Sequence, residues 1–356
     1  MYRHLLVLID GSPLSHSTVD QAITYARDVS ARLTFFHAQP DIGATGDGAL
    51  LRTLSLPAFA EAAAGNANAL LAKAAAAARA AGVQYQVLAA VSDRPHEAIH
   101  AVAHDQGCDL IFLASHGRRG LKGMVAGSVT QRLLQLSTLP VLVAAVESNL
   151  PRSDAQRAIF TIKEEHRALA AVMAAMQEVI EPLRYGEAVP AFALLRAMLY
   201  YIENFPEKLH HPKEDEYLFR LLRERTTAFN AALDELQRQH VLGAAQLALW
   251  RDALGAFETG APGARDRFIA TTDNFVAAQW DHIQVEERVI LPAAVQHLSE
   301  ADWKVVASAF ADHGDPRFGT DADRPYERLF ARLLNLAKGT TESIRTTLAQ
   351  HQGESL

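Results

Sequence analysis

Residues 210–219 read HHPKEDEYLF and residues 282–291 read HIQVEERVIL. In each, a histidine stands four residues ahead of a glutamate, His210 with Glu214 and His282 with Glu286. A second acidic residue follows, and after two intervening residues an apolar pair. On a helix, positions i and i+4 share a face, so each stretch aims an imidazole and a carboxylate at one point. Two such helices facing each other make a metal site that needs no cysteine.

The surrounding pattern is helical. From residue 154 onward, four long amphipathic stretches run near 154–183, 190–224, 228–256 and 265–298, broken at Pro182, at Gly186 to Pro190 and at Gly260 to Gly263. Ser153 and Gln156 form a capping-box pattern for the first of them. Long helices joined by short loops predict an all-α, up-down four-helix bundle. Ile159, Ile162, His166, Leu169, Met173, Met176 and Ile180 step by three and four along the first helix. Phe229, Leu233, Leu236, His240, Gly243, Leu247 and Trp250 do the same along the third, and Phe268, Phe275, His282 and Val289 recur every seven along the fourth. His166, His240 and His282 therefore take core positions, and His210 lies beside the stripe of the second helix (Leu195, Leu199, Ile202, Phe205). At about 1.5 Å per residue, all four histidines fall roughly 15–24 Å from the same bundle end. Four buried imidazoles at one level with two glutamates would be costly without a cation. The donor set suits iron, manganese or zinc. A ferritin-type site would need Glu-x-x-His on two helices; Glu207–His210 fits, but position 279 is Gln279, so that type is rejected.

The first half reads differently. Short β-rich runs at Leu5–Ile9, Leu33–His37, Tyr85–Ala90, Leu110–Ala114 and Val141–Ala145 alternate with helical stretches near 14–30, 58–81, 95–107 and 127–137. Alternation predicts an α/β doubly wound parallel five-stranded sheet. Gly82 suits the C-terminal cap of the Ala-rich second helix. Asp10 follows the first strand, and the fourth runs into the glycine-rich stretch ASHGRRGLKGMVAGSVT, which ends in Gly127-Ser128 at a helix start. Such a turn is suited to phosphate oxygens and is equally a plain structural turn.

The division expected is 1–147 for the α/β domain, 148–157 for a linker, 158–315 for the bundle and 316–356 for a loop and an amphipathic helix near 325–347. A short capped helix begins at SEADWKVVASAF, and His313 lies in the loop after it. Lys+Arg and Asp+Glu balance at 11 each in residues 1–147, so the net charge of −7 resides in the second half. An acidic surface disfavours nucleic acid, which needs basic stripes. The single cysteine, Cys108, excludes a disulfide framework and a thiolate cluster. No apolar run spans a bilayer, and MYRHLLVLID is not a secretion signal, so a soluble cytoplasmic protein without membrane association is expected.

Two resemblances sharpen this reading. Residues 1–146 resemble the universal stress protein family through VLIDGS, LTFFHA and the glycine-rich loop followed by LLQLSTLPVLVAAV. Nucleotide-binding members carry Gly-x2-Gly-x9-Gly-Ser/Thr, and Gly117 with Gly127-Ser128 matches its second part. Ala114 replaces the first glycine, adding a methyl where a phosphate approaches. The resemblance implies ATP binding, with Asp10 on the ribose or a metal and Gly117, Gly127, Ser128 and Val129 around the phosphates. It also implies a homodimer through the last strand, at Val141–Val143.

Residues 158–297 resemble the hemerythrin-like HHE cation-binding family. That implies a non-haem di-iron centre held by His166, His210, Glu214, His240, His282 and Glu286. Hemerythrin proper has a further histidine four residues along the third helix; here that position is Ala244. His211 either fills the vacancy, if Pro212 distorts the helix, or is a half-exposed neighbour. Glu165, Asp215, Glu216 and Glu287 are outer partners or solvated groups, and the seven histidines of the first domain are assigned no metal.

The fusion implies a stress-response protein whose nucleotide domain is coupled to a di-iron site that binds or senses oxygen, nitric oxide, peroxide or iron. The alternative is a di-iron enzyme acting as a peroxidase, an oxidase or in iron-centre repair, and enzymatic activity is left open. A metal-free interaction module is a third reading, which the aligned histidines oppose.

Overall fold

The computed structural model describes residues 2–10, 13–39, 53, 67–92, 94–116, 128–146, 153–186, 190–311, 330 and 332–338. The chain divides into two compact units, Met1–Pro151 and Arg152–Leu356.

The first unit is built on five parallel strands: β1 (His4–Leu8), β2 (Arg32–Gln39), β3 (Tyr85–Val91), β4 (Leu110–His116) and β5 (Val141–Val146). Their order is β3-β2-β1-β4-β5, and Leu5 pairs with Leu33 on one side and Leu110 on the other. The central strand β1, HLLVL, is buried through its first four residues, as a strand covered on both faces must be. The helices are α1 (Pro13–Val29), α2 (Ala67–Ala80), α3 (Pro95–Asp105) and α4 (Ser128–Leu136). One core lies between α1, α2 and the sheet around Val7, Phe35 and Leu71. The other lies beneath α3 and α4 around Phe36, Ile99 and Leu133. This is the α/β doubly wound fold expected. Helix α2 ends at Gly82, whose φ of +70° permits the left-handed turn that lets the Val83 amide donate to the Ala78 carbonyl.

The second unit is a helical bundle. The first helix, α5 (Asp154–Arg184), starts at the capping box: the Ser153 hydroxyl accepts from the Gln156 amide at 3.2 Å, and Gln156 Oε1 accepts from the Ser153 amide at 3.0 Å. The second, over 192–225, begins as α6 (Phe192–Asn204). The third is α9 (Asn230–Glu258), and the fourth, over 264–297, begins as α10 (Ala264–Val285). Each packs against the next and the fourth returns to the first.

The second and fourth helices are not regular. After α6, the chain makes a π-helical turn at Pro206–His210, a short α7 (His211–Lys213), a second π turn at Glu214–Phe219 and α8 (Arg220–Arg225). The fourth makes one at Glu286–Ile290 before α11 (Leu291–His297). In these turns the His211 amide donates five residues back to Pro206, and the Leu291 amide to Glu286. Prolines explain two of these placements. Pro212 and Pro292 have no amide to donate and crowd the carbonyls of Lys208 and Arg288, inside the turns at Pro206–His210 and Glu286–Ile290, and a widened turn relieves both. No proline follows the turn at Glu214–Phe219 within reach of it. The π turn also corrects the heptad reading of the fourth helix: Val289, expected in the core, is 38% exposed, whereas Ile290 is fully buried.

Helix α12 (Glu300–Ala311) lies along α5 and buries Trp303, Val306 and Phe310. Residues 332–338 are helical, and Phe330 stacks 5.9 Å from Tyr201 of α6. The expected loop around His313 and the ends of the last helix lie outside the described residues. No described helix is long and apolar enough to cross a membrane.

Candidate metal centre

The core stripes bring His166, His210, His240 and His282 to one level, each less than a tenth exposed, with Glu214 and Glu286 buried between them. The imidazoles form two pairs. Nε2 of His166 lies 3.1 Å from Nε2 of His210, and Nε2 of His240 lies 3.1 Å from Nε2 of His282. Two nitrogens each about 2.1 Å from one ion stand about 3 Å apart, so each pair has the spacing of two ligands on one cation.

The carboxylates span the pairs. Glu214 Oε1 lies 3.2 Å from His210 Nε2 and 3.6 Å from His166 Nε2, and Oε2 lies 3.7 Å from His240 Nε2. Glu286 mirrors it, with Oε2 at 3.2 Å from His166 and Oε1 at 3.3 Å from His282. His166, His210, Glu214 and Glu286 thus form one set compact enough for a cation, and Glu214, His240, His282 and Glu286 form another.

The site residues fit a metal on one decisive point. All four oxygens of Glu214 and Glu286 are buried without a hydrogen-bond partner. Buried carboxylates are ordinarily satisfied, because leaving one bare costs several kcal/mol, and here the bare oxygens converge on the imidazole nitrogens. In the absence of an ion, protons must serve. Burial opposes charge on His166, yet Glu214, Glu286 and Glu287 hold it well above the usual range. Glu214 and Glu165 likewise push His210 up to about 9 against its burial. Glu286 stands at about 2: burial and Glu214 push it upward, and His282 and His166 outweigh them.

Three of the outward ring nitrogens are held as well. Glu165 takes His210 Nδ1 at 2.5 Å, Gln239 takes His282 Nδ1 at 2.8 Å, and Glu287 takes His166 Nδ1 at 3.1 Å, while Asp215 stands 3.1 Å from His240 Nδ1 without hydrogen-bond geometry. Each of these residues sits next to a ligand candidate in sequence but serves a histidine on another helix: first to second, second to third, third to fourth, fourth to first. Such partners fix the ring and its tautomer, as they do around bound metals. Of the four acids expected either as outer partners or as solvated groups, Glu165, Asp215 and Glu287 stand beside the histidines and Glu216 is solvent-exposed. Gln239 was missed because it carries no charge, although its place beside His240 was a signal.

His211 is buried at 5%, settling its alternatives in favour of the inward position. It forms a third compact set with His240 and His282, and its ring stacks on His240 with centroids 4.3 Å apart. Ala244 is exposed on α9; the buried residue one turn beyond His240 is Gly243. Leu169, Phe205, Pro206 and Ile283 pack against Glu165 and the histidines so closely that no room is left for a water-sized molecule. Cys108 contributes no thiolate: burial pushes its thiol up to about 11. Among the described residues, every compact set of this kind lies in the bundle.

The first unit has a pocket of about 220 Å³ at the C-terminal ends of β1, β2 and β4, lined by Ile9, Asp10, Ser15, Ala38, Val129 and Thr130, among others. β1 is where the strand order reverses, the usual ligand crevice of such sheets. Asp10 and Val129 are thus brought to one pocket. Ser128 opens α4, and Gly117 and Gly127 lie outside the described residues. Thr130 and Ser15 line the pocket without having been singled out.

Comparison with known proteins accounts for both units. The universal stress protein family matches residues 1–145, and the hemerythrin HHE cation binding domain matches residues 157–294. Universal stress protein YxiE of Bacillus subtilis is 32% identical over 154 residues, covering 40% of this chain and 99% of that protein. Universal stress protein MJ0577 of Methanocaldococcus jannaschii is 47% identical over 49 residues, covering 14% of this chain and 30% of that protein. The solved structure of hypothetical protein MJ0577 aligns at 21% identity over 42% of this chain and 99% of that one, with a TM-score of 0.35. The chain belongs to the universal stress protein family and carries a hemerythrin HHE cation-binding domain behind its stress-protein domain.

Proposed function

We propose that this chain is a cytoplasmic stress-response protein in which the bundle holds two iron ions. His166 and His210 would serve one, His240, His282 and His211 the other, and Glu214 and Glu286 would bridge them. The observation that carries the reading is the set of four bare, buried carboxylate oxygens, each turned to imidazole nitrogens at 3.2–3.9 Å. Imidazole with carboxylate, and no thiolate, suits iron. For His211 to join, its ring must turn out of its stack on His240, since a metal lies near the plane of each ligand ring. Bound there, iron would supply the redox-active, ligand-accepting centre that no side chain provides.

The chain's own residues do the rest. Glu165, Gln239 and Glu287 fix the tautomers of His210, His282 and His166, and Asp215 stands beside His240. The tight packing of Leu169, Phe205, Pro206 and Ile283 against the histidines favours a ligand as small as oxygen, nitric oxide or peroxide over a larger metabolite. In the first unit, the pocket at Asp10 and Val129 would take a nucleotide, ATP in our reading, with phosphates at the start of α4, where amides and helix dipole favour anions. β5 is an edge strand, and pairing two copies along it would give a homodimer.

Metal analysis and optical spectra of anaerobically purified protein test the bundle. The expected result is about two irons per chain and an absorption change on adding oxygen, nitric oxide or peroxide. Iron far below stoichiometry, unchanged in His210→Ala and His282→Ala, would sink the reading. Catalytic turnover of peroxide that disappears in Glu286→Ala would make the chain an enzyme instead of a sensor. Calorimetric titration with ATP tests the pocket, and no heat of binding would remove it.

A further inference from the structure

His211 differs from the other four histidines in where its support comes from. The polar neighbour of each of the others stands on another helix; the carboxylate next to His211 is Glu207, on the same helix and one turn earlier, with Oε1 3.6 Å from His211 Nδ1. Glu207 is 13% exposed in its side chain, and Oε1 is buried without a hydrogen-bond partner. A glutamate in that position should clash with the third helix. It does not, because the residue opposite is Gly243: a Cβ added there would stand 2.7 and 2.8 Å from the two Glu207 oxygens and 3.1 Å from its Cδ. Gly243 occupies a core position in the stripe between His240 and Leu247, where glycine brings a helix-propensity penalty and no packing gain. The space it leaves is filled by the carboxylate.

We propose that Glu207, seated in the space opened by Gly243, is the positioning residue of His211, accepting the Nδ1–H and turning Nε2 toward the ion position of His240 and His282. The helix that carries no second histidine of its own thus provides a cradle instead, and the second helix sends across both a ligand and its acceptor. Closing the 3.6 Å separation to a hydrogen bond requires the ring to turn, as leaving its stack on His240 also does. This inference rests on the two-ion reading above.

Three variants of the full chain test it. Glu207→Leu fills the same volume without an acceptor, Glu207→Gln keeps an oxygen that accepts, and Gly243→Ala leaves Glu207 intact but pushes its carboxylate away. Gly243→Ala should fold normally, because Ala favours helix more than Gly and the displaced atoms are the end of a flexible side chain. Each is loaded with cobalt(II) as a spectroscopic probe and with iron(II), and read by metal content and by the visible d–d spectrum. Expected in Glu207→Leu and Gly243→Ala is a 10–100-fold weaker affinity for the second ion and a changed spectrum of that ion, with the first ion undisturbed. Glu207→Gln should restore both. Two ions of unchanged affinity and spectrum in Glu207→Leu or Gly243→Ala would overturn the role of Glu207 alone. Wild-type protein that takes fewer than two ions would overturn the two-ion reading itself, so the failures are distinct.

Discussion

Glu214 and Glu286 each divide their two oxygens between the two histidine pairs, whereas each histidine belongs to one pair. Their substitutions should therefore differ in kind. His166→Ala is expected to lose one of two ions, and Glu214→Ala both, by metal analysis after anaerobic loading; equal stoichiometry in the two variants would contradict a bridging role. Replacing an orienting residue should be milder: Gln239→Ala is expected to weaken iron binding 10–100-fold in chelator competition without abolishing it. The protonation of the metal-free site sets a pH dependence. His210 is raised to about 9, so its charge stabilises the metal-free fold fully below about 6.5, and that contribution is lost as pH rises through about 9. A cation must displace that proton. Apparent iron affinity should therefore rise by up to about tenfold per pH unit between 7 and 9 and then level, whereas His210→Ala should show weak binding with a flatter profile.

At the scale of elements, Asp302 ties α12 to the bundle. Its carboxylate accepts from Arg225 at 2.8 Å through both oxygens, and accepts from the Ser299 amide at 2.9 Å and hydroxyl at 2.7 Å ahead of the helix. Chiefly through Arg225, it is held well below the usual carboxylate range. Asp302→Ala should cost about 1–3 kcal/mol by urea unfolding, from a lost cap and a charge-assisted pair, one of whose members is half exposed. The depressed carboxyl contributes its stability above about pH 4 and loses it as pH falls further, so variant and wild type should converge in acid; a constant difference across pH would contradict this. The elements themselves were largely legible in the sequence. Strand–helix alternation and the three- and four-residue steps are local consequences of burial on one face, and the capping box at Ser153 depends on four residues. What escaped were features set by long-range packing. The π turns re-register Val289 and His211, and no periodicity count anticipates an added residue in a turn, although Pro212 and Pro292 mark two of the three places. The partnership of Glu207 with Gly243 was hidden for a related reason: it joins two helices through the absence of a side chain.

At the scale of the whole molecule, two units with separate cores occupy one chain, and each contains its own candidate ligand site. If the sites are as proposed, each ligand stabilises the unit that binds it by mass action, by about 2.7 kcal/mol at a hundredfold excess over its dissociation constant. Calorimetry of the full chain should then resolve which unit answers to which ligand. Iron(II) is expected to raise the transition that carries the bundle by several degrees and to leave the other in place. ATP should do the reverse, and the iron shift should vanish in Glu214→Ala while the ATP shift persists. The same experiment measures whether the fusion couples the sites. Linkage is reciprocal: if iron tightens nucleotide binding by some factor, nucleotide tightens iron by that factor. With both ligands present, independent units give two shifts that add. Coupled units give a combined stabilisation larger or smaller than the sum, and the excess is the coupling free energy itself. Additive shifts would mean that the stress-protein domain does not respond to the state of the metal centre through binding equilibria, and that each half acts alone.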